Sequence, residues 1–428
     1  MYKMSVQLLF AFILILFTVS NNTSAVGFVT PANGVIGSHT SDAIGSNGVY
    51  ELPSGNIVIA SRQWNSGRGA VTCLTRAEIE AGNVIVSESN SVIGATSGDF
   101  VGERGIMILP NGNYLIHTPN WHNGAVLRAG AVTWVNGANC QLADGLTRGG
   151  SVSSTNSLVG TSRDDSIGVY GVGGVQALSN GNYIITSPYW DNGIIENVGA
   201  LTWGNGTAGT IGVVSSANSL IGTTANDNVG YGVTALTNGN YVVYSPYWDN
   251  GALYNVGAVT WGNGTTGIAG IVSIGNSLYG TKSSDFVGYR GVIALTNGNY
   301  VAISYSWNNQ LGAVTWGNGM IGVSGAVTTL NSLYGGSSYD RVGYGGVAAL
   351  ANGNYVVLSP DWNNGAIQKA GAITWGNGAF GTAGLVSTAN SFYGTHNNDY
   401  LDIKVTALPN GNYVVITPHW DNGLVADA

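Results

Sequence analysis

Along this chain, apolar residues come in short runs, each closed off by Gly and Asn. Residues 285–335 show the pattern in full. Residues 291–295 (GVIAL) predict a strand, and Asn297 with Gly298 offers the two positive-φ positions of a tight type I′ hairpin. Residues 300–304 return as a second strand. A loop around Trp307, Asn308 and Asn309 leads to a third, 312–316 (GAVTW), and Asn318 with Gly319 marks another turn. Residues 325–334 (GAVTTLNSLY) predict a fourth. Runs this short, rich in Val, Ile, Thr and aromatics and bounded by Gly and Asn, are strands. Gly serves as punctuation where the backbone needs φ > 0.

The pattern repeats over residues 26–428. A G-N-Y motif places Tyr114, Tyr183, Tyr241, Tyr300, Tyr355 and Tyr413, with Ile57 as a diverged first copy. Spacings lie between 55 and 59 residues, apart from 69 between Tyr114 and Tyr183. That long spacing marks an insertion near 137–150, which holds Cys140. Of the twelve Trp, seven follow G-N-Y by a few residues and five close a G-A-[VLI]-T-W strand, where Cys73 takes the Trp place in the first copy. Seven units of four short antiparallel strands predict an all-β, seven-bladed β-propeller. The first residues after 25 read as strand four of a unit, and residues 405–408 and 413–416 as strands one and two. The N- and C-terminal strands are therefore expected to share one blade and close the ring, in a single domain over 26–428. An open β-solenoid is the structural alternative.

The run at 235–261 (ALTNGNYVVYSPYWDNG…GAVTW) resembles an FG-GAP repeat of integrin-α-type propellers. Val287 with Gly288 stands for F-G, and Ser245 with Pro246, or Thr417 with Pro418, for G-A-P. The resemblance implies the propeller fold. The acidic D-x-[DN]-x-D-G calcium loop of that family is here T-N-G-N or similar, without a carboxylate, so no cofactor is expected from it. The chain also resembles an uncharacterised family of N-G-N-Y-V/W-D-N-G tandem repeats in secreted and surface bacterial proteins, some labelled haemagglutinin-like.

Composition narrows the partners. Thirteen Lys+Arg against 21 Asp+Glu give a net charge of −8, so no basic patch is available for nucleic acid. Lys3, the apolar run 6–19 and the small residues at 23–25 read as a signal peptide over 1–25. No later run approaches the ~20 apolar residues that span a bilayer. The expected location is secreted or at the cell surface. Export permits a disulfide, and Cys73 and Cys140 either pair or remain two thiols.

Seven Asp occupy one repeat position, D-x-[VIL]-G: Asp42, Asp99, Asp165, Asp227, Asp285, Asp340 and Asp399. They share a predicted face with the W-[DN]-N-G loops of Trp190 and Asp191, Trp248 and Asp249, Trp362, and Trp420 and Asp421. Two readings stand. Asp caps turns through its own backbone and Trp packs inside. Alternatively, carboxylates and aromatics ring one face and bind cations or sugars; calcium would need six to eight oxygens, more than one Asp per repeat supplies. No metal site is expected, because no H-E-x-x-H or C-x-x-C occurs. The expected function is non-enzymatic binding or adhesion to an extracellular protein or glycan. The alternatives are a secreted glycan hydrolase or lyase, or a purely structural surface repeat.

Overall fold

The structure is a computed structural model that describes residues 34–145, 147–169, 174–399, 402–423, 425 and 427. The leader at 1–25 and the predicted strand that follows it lie outside the described residues. The chain forms two compact units, Met1–Val169 with Gly204–Val214, and Tyr170–Trp203 with Ser215–Ala428.

In the second unit one sheet explains the rest. Gly232–Ala235, Tyr241–Ser245, Ala258–Gly262 and Ser277–Tyr279 form an antiparallel meander in chain order. The second strand lies between two neighbours and is almost wholly buried. Its first residue, Tyr241, crosses onto the third strand, where a Cβ on Gly262 would strike the ring; Gly317 and Gly376 meet Tyr300 and Tyr355 in the same way. The third and fourth strands are pinned by a buried hydroxyl pair, Thr260 to Ser277 at 2.7 Å, and the same pair recurs as Thr202–Ser219, Thr315–Ser332 and Thr374–Ser391. Cross-strand Thr–Ser pairs of this kind each contribute a fraction of a kcal/mol up to about 1 kcal/mol.

The predicted fourth strand, 325–334, is two strands with different partners. Ser332–Tyr334 pairs with its own third strand, Ala313–Gly317. Gly325–Ala326 instead pairs in parallel with Ser277–Tyr279 of the preceding repeat. The break falls at Thr328, whose N–H is taken by the Asn331 side chain at 2.8 Å, while Asn331 Nδ2 reaches back to the Ala326 carbonyl. Gly270–Ile271 and Gly384–Leu385 cross to the preceding sheet in the same manner.

Both Asn of the N-G-N turn also reach into the next repeat. Asn238 and Asn240 Nδ2 donate to the Gly319 carbonyl at 2.8 and 2.9 Å, and Trp261 Nε1 donates to the same oxygen at 2.9 Å. Asn297, Asn299 and Trp316 do the same to Gly378. The N-G-N-Y and G-A-V-T-W motifs are thus two halves of one inter-repeat clamp.

The first unit repeats the scheme. One sheet runs Val49–Glu51, Ile57–Ser61, Ala70–Leu74, Ser91–Ile93 and, in parallel, Gly150–Ser151; the next runs Ile106–Ile108, Tyr114–Thr118, Ala131–Val135, Leu158–Val159 and Gly212–Val213. Two departures from the repeat meet here. A helix, Arg76–Ala81, starts on a capping box of Thr75 and Glu78. The insertion returns Arg148 onto Glu78 at 2.9 Å and onto the Cys73 carbonyl at 3.2 Å. Cys73 and Cys140 are joined as a disulfide, with Cα atoms 5.8 Å apart.

The expected closed seven-bladed propeller is not what forms. The described residues build eight sheets in tandem: five of five strands, one of four, and two of two strands. None closes into a barrel. Among the described residues the terminal strands share no sheet: Val35–Ile36 pairs in parallel with Val84–Ile85, and Lys404–Ala407 pairs with Tyr413–Ile416. The physical reason is the split fourth strand. A blade complete in itself needs four antiparallel strands from one repeat, whereas these sheets are finished by a parallel strand lent from the next.

Candidate functional site

The seven repeat Asp side chains are buried, none more than 3% exposed. Each sits in the turn that follows a fourth strand. Asp285 shows the geometry: Oδ2 accepts the N–H groups of Thr281 and Lys282 at 2.8 and 2.9 Å, and Oδ1 accepts the Asn308 N–H, just past Trp307, at 2.8 Å. Asp42 takes Ser38, His39 and Asn65; Asp227 takes Thr223, Thr224 and Asp249. Asp340 takes Gly336, Ser337 and Asn363, and Asp399 takes Thr395, His396 and Asp421. Asp99 accepts from Thr96 and from His122, whose Nδ1 lies 2.6 Å away, and Asp165 accepts from Thr161 and Ser162. Each carboxylate therefore staples the entry of a repeat, and most reach its Trp loop as well. Backbone N–H donors surround these oxygens and favour the charged carboxylate. Burial nevertheless outweighs the donors at two sites, pushing Asp227 up to about 6 and raising Asp340.

Trp64, Trp121, Trp190, Trp248, Trp307 and Trp362 are all at most 5% exposed, and Trp420 is 38% exposed. The buried indoles present no face to a sugar. The second acidic set closes its own loop: Asp191 Oδ1 accepts the Asn197 N–H at 2.8 Å and Asp249 Oδ1 that of Asn255 at 2.6 Å. Asp421 Oδ1 accepts the Asp427 N–H at 3.0 Å. Among the described residues, one group brings a histidine and two carboxylates together: His396, Asp399 and Asp421 each hold a ligand atom within 4.8 Å of the others. His117, in the strand Tyr114–Thr118, is held neutral, burial lowering its pKa to about 4.

Beside the Asp turns runs a feature the motif reading passed over. Tyr231, Tyr247, Phe286, Tyr289, Tyr305 and Tyr344 form a continuous edge-to-face ladder, with neighbouring centroids 5.2–6.0 Å apart. Its rungs come from three successive repeats of the second unit. Tyr231, Tyr289 and Tyr344 each follow Val and Gly at the start of a repeat; Tyr247 and Tyr305 stand just ahead of a buried Trp. Tyr289 and Tyr344 are more than a third exposed. Burial, and then the neighbouring Tyr289 and Tyr231 phenols, raise the Tyr247 pKa. Arg290 and Arg341 lie over the Tyr344 ring at 5.4 and 5.7 Å. The recurring V-G-Y was the signal available in the sequence; that the rings touch across repeats was not.

The chain matches a family model described as a repeat of unknown function (DUF5650) at residues 18–46, 51–103, 108–169, 177–231, 235–289, 294–344, 349–403 and 407–428. The expected identity with FG-GAP repeats is not borne out by this match. No curated protein matches the chain. Among the described residues, no helix is long and apolar enough to cross a membrane.

Proposed function

We propose, for a chain that belongs to the DUF5650 repeat family, that it is an exported, non-enzymatic binding protein that holds an extracellular glycan against the aromatic ladder of its second unit. The observation that carries this reading is the run of six touching rings with Tyr289 and Tyr344 open to solvent. Tyrosine offers a rigid apolar face with a hydroxyl at its edge and loses little conformational entropy on binding. A pyranose has the complementary surface, C–H groups on one face and hydroxyls around it. Arg290 and Arg341 add positive charge at one end of the ladder, which favours sugars that carry a carboxylate or sulfate.

The test is an array of neutral and acidic glycans probed with the exported chain, followed by Tyr289→Ala with Tyr344→Ala. Acidic glycans should bind, and the double variant should lose at least tenfold in affinity with an unchanged unfolding midpoint. Binding that survives the double change, or an array without a hit, overturns the reading.

A further inference from the structure

Asn followed by Gly recurs at three positions of the repeat, and the second unit holds each in a different state. In the N-G-N turn the Gly N–H is already engaged: Gly239, Gly298 and Gly353 each donate to a Leu carbonyl at 3.1 Å. The Asn ahead of it is held as well, since Asn238, Asn297 and Asn352 place Nδ2 on a Gly carbonyl of the next repeat. In the W-G-N-G turn, Gly264, Gly319 and Gly378 donate to the Oδ1 atoms of Asn240, Asn299 and Asn354 at 3.0 Å. There the Oδ1 atoms of Asn263, Asn318 and Asn377 each accept two N–H groups.

The third position is the tip of the W-[DN]-N-G loop. Asn192, Asn250 and Asn364 each close a turn here, Asn250 with Leu253 through two main-chain bonds of 3.0 and 3.2 Å. Gly193, Gly251 and Gly365 follow at φ of 65°, 61° and 60°, exposed, with nothing within 4 Å of where a Cβ would stand. Among the described residues no acceptor meets these three Gly N–H groups, and no hydrogen-bond partner meets the three Asn side chains.

Deamidation uses the two groups that this position leaves unengaged. The Gly nitrogen gives its proton to solvent and adds to the Asn Cγ; the Cγ–Nδ2 bond breaks, and the nitrogen leaves with a proton from solvent as ammonia. Water then opens the resulting succinimide ring at either carbonyl, to aspartate or isoaspartate. Water is the only reactant consumed, and a residue without a Cβ crowds the ring closure least. Where the Gly N–H already donates, attack waits on a local opening of the turn.

We propose that Asn192, Asn250 and Asn364 are deamidation sites, and that the fold shields the N-G-N and W-G-N-G pairs of the same unit. Conversion of all three takes the net charge from −8 to −11. Isoaspartate also adds an atom to the main chain inside the turn, which pulls the paired Asn250 and Leu253 bonds out of register. The residue ahead, Asp249, is the one whose N–H Asp227 holds at 2.9 Å, so the change acts on the loop end that the repeat carboxylate staples. None of this depends on what the aromatic ladder binds.

Peptide mapping by mass spectrometry, on the folded full chain aged in mildly alkaline buffer, tests the proposal. Conversion at Asn192, Asn250 and Asn364 should run at least tenfold faster than at Asn238, Asn263, Asn297, Asn318, Asn352 and Asn377, and isoaspartate should appear at the first three. In denaturant every one of these Asn is still followed by Gly and none is folded, so the rates should converge. Equal rates across the folded chain, faster conversion at the shielded pairs, or a spread of rates that persists unchanged in denaturant overturns the proposal.

Discussion

Replacing Asp285 by Asn isolates what the repeat carboxylates do. The native side chain is 1% exposed and accepts three backbone N–H groups, two on Oδ2 and one on Oδ1. Asn has nearly the same shape but a single acceptor oxygen. In its better orientation that oxygen keeps Thr281 and Lys282, and its own NH₂ then faces the Asn308 N–H. One bond to a charged acceptor is lost, worth about 1.5–3 kcal/mol, and the two that remain weaken to neutral bonds, about 1 kcal/mol less each. Relief from burying a charge returns part of this, so the expected net loss is about 2–4 kcal/mol, a large fraction of a typical domain's stability. Chemical unfolding followed by tryptophan fluorescence measures it, and hydrogen exchange locates it. The Thr281, Lys282 and Asn308 amides should lose protection while those of Tyr355–Ser359 keep theirs. A variant within about 0.5 kcal/mol of the parent, inside the range of an ordinary surface substitution, would refute the staple. So would a midpoint that millimolar calcium raises in the parent and not in the variant, because the carboxylate would then be serving a ligand.

Three further outcomes follow from neighbouring geometry. Trp261→Phe should cost about 1–2 kcal/mol, because its Nε1 shares the Gly319 carbonyl with Asn238 and Asn240, whereas Trp375→Phe at the equivalent position should change the unfolding midpoint little. Reducing the Cys73–Cys140 bridge, which closes a separation of 67 residues, should destabilise the first unit by up to about 4 kcal/mol in thermal unfolding, with the second unit unmoved. Glu78 titrates near 2, held down first by Arg148 and then by the Thr75 N–H against the opposing pull of burial. A depressed carboxylate stabilises above its unfolded pKa of 4.5 and loses that contribution as pH falls toward 2. The midpoint difference between the parent and Glu78→Gln should therefore be full at pH 6 and shrink steadily between pH 4.5 and 2.

The strands were legible because their signals are local. Asn297 with Gly298 announces a hairpin, and the fixed distance from each G-N-Y to its Trp gives the register of every repeat. The Asp positions were legible as a set for the same reason, but their chemistry was not. Whether Asp285 faces a cation or three N–H groups depends on bringing Asn308 to it, and that takes a folded loop. Cys73 and Cys140 likewise leave two outcomes open until the insertion and the helix Arg76–Ala81 are seen to share Arg148. The ladder escaped because its rungs, Tyr247 and Tyr289 for instance, are separated by whole strands, and only packing makes them neighbours.

Closure failed for a more instructive reason. A strand of two residues such as Gly325–Ala326 has no periodicity to read, and it sits next to Ser332–Tyr334 in the chain, so a linear reading fuses the two. Fused, they make a self-contained four-stranded unit, and self-contained units invite a ring. Separated, they commit each repeat to its predecessor through Leu278 opposite Gly325 and Tyr279 opposite Ala326. Tandem repeats of this kind draw their stability from nearest-neighbour interfaces rather than from a closed perimeter. The same two-residue strand that the pattern hides is therefore what joins repeat to repeat, as Gly270–Ile271, Gly325–Ala326 and Gly384–Leu385 each do.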